Sequence, residues 1–141
     1  MSINITPEFW GPHGWIFLHS VTFNYPENPT QTDKINYKSF FESLGNILPC
    51  EKCSINYKNH IQKYPIDAHL DSKTSLIQWL INIHNITNSQ LGKSVLSPAE
   101  VINEYRNMIN KSSSMFSYMN CFIVLSFIIL IIIIYTCYNK K

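Results

Sequence analysis

The chain has 141 residues, and 11 Lys and Arg against 9 Asp and Glu give it a formal charge of +2. This length accommodates one compact domain and a tail, but not two independent cores. Because Lys140 and Lys141 account for the excess charge, the rest of the chain is neutral, which argues against non-specific binding of nucleic acid. Hydrophobic residues make up 45% of the chain, too many for a disordered protein.

The N-terminal third of the chain predicts two helices. Thr6 is suited to cap the first helix, and Pro7 suits its first position. A turn-rich segment at 24–29 ends this helix. A second helix is predicted over about 32–47, and Pro49 prevents it from continuing. The residues of the second helix that we expect to face inward are Ile35, Phe40, Phe41, Leu44 and Ile47.

Three more helices are predicted further along the chain. The third runs over about 50–63, and the fourth follows a cap at Asp71 or Ser72 and ends at Gly92, a residue suited to a left-handed cap. A Ser-Pro-Ala-Glu capping box begins a short fifth helix over 97–110. Since no stretch alternates apolar and polar residues with a period of two, we expect an all-α fold, a four-helix bundle with a short fifth helix.

A charge-free apolar segment follows the predicted bundle. It runs from Cys121 to Cys137, and extended to 116–138 it reaches the roughly 20 residues that a bilayer-spanning helix needs. A buried core helix is the alternative, but isoleucines on every face argue against it. Roughly 24 Å of helix would separate the two cysteines, so they cannot form a disulfide with each other within one chain.

The N-terminus lacks the basic start and uninterrupted apolar run of a signal peptide. With its membrane segment at the C-terminus, the chain is predicted to be a single-pass, tail-anchored membrane protein whose domain faces the cytosol. The predicted organisation is a helical domain at 1–110, a linker at 111–115, a transmembrane helix at 116–138 and a basic tail at 139–141.

A Cys-Glu-Lys-Cys motif joins Cys50 and Cys53 at the start of the third predicted helix. The positive end of a helix lowers the pKa of a thiol and favours the reactive thiolate, so a redox dithiol is one interpretation. A zinc site is a second, although His60 and His69 do not have zinc-finger spacing. An inert dithiol in a reducing compartment is the third.

Two further motifs flank the cysteine pair and narrow the choice among these three interpretations. Residues 10–19 read WGPHGWIFLH, and residues 84–93 read HNITNSQLGK. In this order, with the cysteine motif at 50–53, they resemble the ERV/ALR family of FAD-dependent sulfhydryl oxidases over about residues 8–108. The composition, rich in Ile, Asn and Lys, resembles that of family members from large cytoplasmic DNA viruses.

The resemblance implies a helical bundle that binds FAD beside the cysteine pair and pairs into a homodimer. In this family a substrate dithiol would attack Cys50, and Cys53 would pass two electrons to the flavin, which gives them to O₂ and forms H₂O₂. The cofactor-binding residues that the resemblance implies are Trp10, Gly11, Trp15, His19, Tyr25, Trp79, His84, Asn85, Asn88, Lys93 and Tyr105.

The chain departs from the family pattern in two respects. Many relatives have a structural disulfide at the positions that Ile81 and Pro98 occupy here, and many carry a shuttle cysteine pair on a flexible arm. A partner, such as a small thioredoxin-like protein, would then relay electrons from viral protein substrates. The tryptophans, histidines, asparagines and lysine of this set also have simpler interpretations, as core aromatics, core histidines, surface asparagines and a helix-end cation. The alternative function is a non-catalytic, membrane-anchored helical adaptor.

Overall fold

The computed structural model describes residues 5–138, without the side chains of residues 113, 115–117, 133–134 and 136–137. Its helices are α1 (Pro7–Phe23), α2 (Gln31–Ile47), α3 (Glu51–Lys63), α4 (Lys73–Gln90) and α5 (Pro98–Tyr138), with a short 3₁₀ helix (Ile66–His69) between α3 and α4. This part of the chain contains no β-strand, which confirms the all-α prediction.

The structure divides into two units, Met1–Pro98 and Ala99–Lys141. In the first unit α1 packs along α4 and α2 packs along α3, so the predicted four-helix bundle is present. Its core consists of aliphatic and aromatic side chains from all four helices and from the 3₁₀ segment. The buried core residues are Leu18, Tyr25, Phe41, Leu44, Tyr57, Ile66, Leu70, Leu76, Trp79, Leu80 and Ile83.

Most helix starts coincide with a residue that can cap them. Cys50 is the N-cap of α3, and Ser72 is the N-cap of α4, where its hydroxyl accepts a hydrogen bond from the Ser75 amide. At α2 the cap is a reciprocal pair that the sequence prediction missed, in which Thr30 and Asp33 bond each other's backbone amides. These caps satisfy amides that have no partner within the helix, and they fix where each helix begins.

The inward face predicted for α2 is partly wrong. Phe41 and Leu44 are buried, but Ile35 and Ile47 are 55% and 69% exposed. Each of these isoleucines lies six residues from Phe41, which is about 240° around a helix. They therefore face away from the core side of α2, whereas Phe40, which is partly buried, packs against the core as predicted.

The fifth helix is longer than the sequence predicted. It does not end near Asn110 but continues from Pro98 to Tyr138, so the predicted linker at 111–115 is helical. The reason is that neither Gly nor Pro occurs after Pro98, and nothing else in the segment breaks a helix. In the part of the chain that the structure describes, no helix meets the length and apolarity required for a membrane span. The predicted basic tail at 139–141 lies outside the described residues.

Candidate active site

The two cysteines of the CxxC motif form a disulfide at the start of α3. Their Cα atoms are 5.1 Å apart, and both residues are half-buried. The Cys50 sulfur accepts a hydrogen bond from the Cys53 amide at 3.2 Å, so Cys50 caps the helix with its own side chain. Once the disulfide is reduced, the positive end of α3 would stabilise a thiolate on either sulfur. The geometry thus suits a redox dithiol.

A cluster of aromatic and imidazole rings lies where α1 packs on α4. The Nε2 atom of His19 and the Nδ1 atom of His84 are 3.1 Å apart, so one ring donates a hydrogen bond to the other. The Trp15 indole stacks on the His84 ring with a centroid distance of 3.9 Å and an angle of 10°. The structure therefore brings together three of the predicted cofactor residues, from two motifs that lie far apart in the sequence.

The sequence prediction missed one aromatic residue in this cluster. The Phe23 ring lies 6.1 Å from the His19 ring, one turn further along α1. Trp15, His19 and Phe23 recur every four residues, a spacing that places side chains on one face of a helix. That spacing was the signal from which Phe23 could have been predicted.

Both histidines of the cluster are neutral at physiological pH. His19 is fully buried, and burial, followed by the proximity of His84, lowers its pKa to about 3. Burial also lowers the pKa of His84 to about 4, and the charge of Lys93 contributes. The rings therefore present an uncharged polar surface, while the positive charge nearby resides on Lys93.

The segment after α4 is held against that helix by hydrogen bonds. The Asn85 side chain donates to the Leu96 carbonyl at 2.8 Å and accepts from the Leu96 amide at 3.1 Å. The Lys93 amide donates to the Asn88 carbonyl at 2.8 Å, directly after Gly92 with a φ of 66°. Three residues of the predicted HNITNSQLGK motif thus organise the segment that carries Lys93.

The start of α1 offers features that suit a bound polar group. The indole Nε1 of Trp10 is buried and has no hydrogen-bond acceptor among the described residues. A side chain added at Gly11 would meet open space, whereas one added at Gly14 would come within 3.3 Å of the Trp10 ring. Gly14 therefore lets the indole lie close to α1. The unsatisfied donor and the space beside Gly11 fit the cofactor that the family resemblance implies.

The remaining predicted cofactor residues have structural contacts. Trp79 is 2% exposed, and its indole N–H donates to the Tyr64 carbonyl at 2.8 Å. Tyr25 is fully buried, and its hydroxyl donates to the Leu70 carbonyl at 2.8 Å. These contacts place both side chains in the core, and their roles toward a cofactor stay predictions. Tyr105 lies on α5 in the second unit, and its role also stays a prediction.

Comparison with known proteins identifies the family. The model of the Erv1/Alr family matches residues 12–119. The chain belongs to the Erv1/Alr family. Protein R368 of Acanthamoeba polyphaga mimivirus, named as a probable FAD-linked sulfhydryl oxidase, is 48% identical over 70% of this chain and 69% of its own length. The FAD-linked sulfhydryl oxidase ERV1 of Arabidopsis thaliana is 35% identical over 64% of this chain and 47% of its own length.

Solved structures show the same architecture. The FAD-binding domain of Erv1 from Saccharomyces cerevisiae superposes with a TM-score of 0.69 at 26% identity, covering 74% of this chain and 97% of that domain. The yeast Erv1 core superposes with a TM-score of 0.65 at 28% identity, covering 70% of this chain and 81% of the core. These results confirm the family resemblance and the Erv1-like helical fold, and the relatives' names agree with the predicted enzyme class and with FAD as the cofactor.

Proposed function

We propose that this chain is an FAD-linked sulfhydryl oxidase, which forms disulfides in protein substrates and passes the electrons to O₂ with formation of H₂O₂. The observation that carries the proposal is the Cys50–Cys53 disulfide at the start of α3, in a bundle whose α1 and α4 bear the ring cluster. The 48% identity with the mimivirus protein supports the same activity and a viral origin.

The cysteine pair carries out the exchange with the substrate. A substrate thiolate attacks the Cys50 sulfur, so the Cys50–Cys53 bond breaks and Cys53 leaves as a thiolate. The second substrate thiol, after losing its proton, displaces Cys50, and the substrate leaves with a disulfide. Cys50 and Cys53 are then reduced and hold two electrons. FAD, when bound, supplies the two-electron acceptor for this dithiol and the route to O₂.

The chain's own residues define how such a cofactor would be held. Trp15 and the neutral rings of His19 and His84 offer stacking surface and hydrogen bonds without charge. Lys93 supplies a positive charge that suits a pyrophosphate, and the buried N–H of Trp10 can donate to an acceptor. This set combines uncharged rings with one cation, as a dinucleotide with an aromatic ring system requires.

The test of the proposal uses the purified chain and two cysteine variants. The protein should show the absorbance of bound flavin and consume O₂ with dithiothreitol as the reductant. Cys53→Ser should keep the flavin and abolish turnover, whereas Cys121→Ser, which changes a free cysteine outside the pair, should leave turnover intact. Colourless protein without O₂ uptake would favour the adaptor, and stoichiometric zinc lost on chelation would favour the zinc site.

We also propose that the chain forms a homodimer through α1. Phe9, Ile16 and Phe17 are 71%, 41% and 58% exposed, although all three are large apolar residues. Positions 9 and 16 lie on one face of the helix, with position 17 beside them. Such a patch suits a protein interface. Analytical ultracentrifugation of the wild type and of Phe9→Glu tests this: the wild type should sediment as a dimer and the variant as a monomer.

We further propose that the segment 116–138 attaches the enzyme to a membrane, with the domain on the cytosolic side. On that side a thioredoxin-like partner relays electrons from viral substrates. Two observations support the attachment, the charge-free sequence from Cys121 to Cys137 and the exposure of its apolar side chains, such as Phe122 at 72% and Ile131 at 64%. Membrane fractionation followed by protease protection tests both statements, and cleavage of the domain in sealed vesicles would confirm the orientation.

A further inference from the structure

We propose that Asn85 is a positioning residue, which acts on the cofactor through Lys93 by holding the segment 92–97 against α4. This inference rests on the proposed function, because it concerns how the site binds FAD. Asn85 was expected to contact the cofactor, but both polar atoms of its side-chain amide are bonded to the backbone of Leu96. The side chain is thus oriented toward this segment.

The two bonds of Asn85 engage both backbone groups of one residue. The amide nitrogen donates to the Leu96 carbonyl at 2.8 Å, and the amide oxygen accepts from the Leu96 N–H at 3.1 Å. A primary amide is the side-chain group that can donate and accept side by side in this way. Replacement by a side chain without both atoms would leave at least one backbone group of Leu96 without its partner.

A second attachment holds the same segment at its start. The Lys93 amide donates to the Asn88 carbonyl at 2.8 Å, and Asn88 follows Asn85 by three residues on α4. Residues three apart are neighbours on the helix surface. The stretch from Lys93 to Leu96 is therefore held at both ends along one side of α4, close enough for the Lys93 charge to lower the pKa of His84.

Hydrogen bonds must hold this segment because its side chains contribute little burial. Val95 is 58% exposed and Leu96 is only half-buried, so the apolar side chains of the segment bury little surface. Neither Ile81, one turn before Asn85 on α4, nor Pro98 can form a disulfide across this connection. The Asn85–Leu96 pair is thus a non-covalent connection between α4 and the segment that carries Lys93.

The first measurement tests the connection without the flavin. In the full chain, Asn85→Leu should accelerate hydrogen exchange of the Leu96 amide by about tenfold or more, because its acceptor is lost. Asn82→Leu is the matched control, since Asn82 is an exposed asparagine on the same helix, and it should leave this exchange rate unchanged. An unchanged Leu96 rate in Asn85→Leu would overturn the proposal.

The second measurement tests the route through Lys93. The FAD dissociation constant should rise about tenfold in Asn85→Leu and by a similar factor in Lys93→Met, as expected when an ordered ionic contact is lost. In the double variant the constant should be no higher than in the weaker-binding single variant, because both changes remove the same contact. Multiplicative effects would show that Asn85 acts independently of Lys93 and would overturn the proposal, as would unchanged affinity in Asn85→Leu.

A milder variant keeps the test decisive if Asn85→Leu does not fold. Asn85→Ala removes both bonds to Leu96 without adding a bulkier apolar side chain, so exchange of the Leu96 amide and FAD affinity should change in the same direction as in Asn85→Leu. Failure of the proposed function gives a different result, since the wild type itself would then bind no FAD. A wild type that binds FAD, with Asn85 variants that bind it equally well, refutes this inference alone.

Discussion

Lowering the pH is expected to destabilise the flavin-free chain through the buried imidazole of His19. Burial, assisted by the neighbouring His84, lowers the pKa of His19 to about 3 from its usual value of 6.5. In the unfolded chain the ring binds a proton below its usual pKa, whereas in the folded chain it stays neutral until the pH approaches 3. The unfolded state binds more protons throughout this window, so the free energy of unfolding falls as the pH falls.

The pKa difference sets the magnitude of the effect. At about pH 5, about 1.5 pH units below the usual pKa, protonation of His19 in the unfolded chain removes about 2 kcal/mol of stability. His84, whose pKa is lowered to about 4, contributes a loss in the same direction. Because a domain of this size is stable by about 5–15 kcal/mol in total, a loss of this size is readily measurable.

Urea unfolding, monitored by tryptophan fluorescence at about pH 7.5 and at about pH 5, measures this loss. Between the two pH values, the free energy of unfolding should fall by about 2 kcal/mol less in His19→Gln than in the wild type. Comparing the two pH values within each variant cancels the constant cost of the substitution. His13→Gln, at an exposed histidine of α1, should behave as the wild type. If His19→Gln loses as much stability on acidification as the wild type, the reasoning from burial is refuted.

Three further predictions concern the stability of the bundle, each measured by urea unfolding. Thr30→Ala should destabilise the chain by about 1 kcal/mol because α2 loses its N-cap, and a change near zero would contradict that role. Tyr25→Phe should cost about 1–2 kcal/mol because the buried Leu70 carbonyl loses its donor, and an unchanged midpoint would show that water replaces the hydroxyl. Replacing a helical glycine by alanine stabilises a helix, but at Gly45 the added Cβ would lie 2.7 Å from the Lys58 Cγ. Gly45→Ala should therefore stabilise the chain by about 1 kcal/mol only when Lys58 is also replaced by Ala. Equal gains in both backgrounds would contradict this.

The helix starts could be predicted from sequence because each depends on residues that are adjacent in the chain. Pro7, Ser72 and Pro98 lie at or beside observed helix starts, and Gly92 adopts the expected positive φ. The orientation of α2 could not be predicted as well. A stripe of apolar residues is compatible with several rotations about the helix axis, and only the packing on α3 shows that the Ile35 side faces away from the core.

The candidate site shows the same division between local and non-local information. The spacing of the α4 motif predicted that His84, Asn85 and Asn88 lie close together, because they are neighbours on one helix. The stacking of Trp15 on His84 joins two helices, and no local pattern indicates which rings will meet. The bonds of Asn85 to Leu96 depend on the path of a segment without regular structure, so no local pattern could indicate them, and a contact of Asn85 with the cofactor stays a prediction.

The connection between α4 and the segment after it contains no sulfur, and the first unit has no cysteines other than Cys50 and Cys53. A reductant therefore breaks one disulfide in this unit, the bond between Cys50 and Cys53. The folded bundle around this disulfide does not depend on the redox potential of its compartment. Thiol–disulfide titration of the flavin-free bundle should accordingly follow a single two-electron couple, and its midpoint can be assigned to the reactive pair without correction for a structural disulfide.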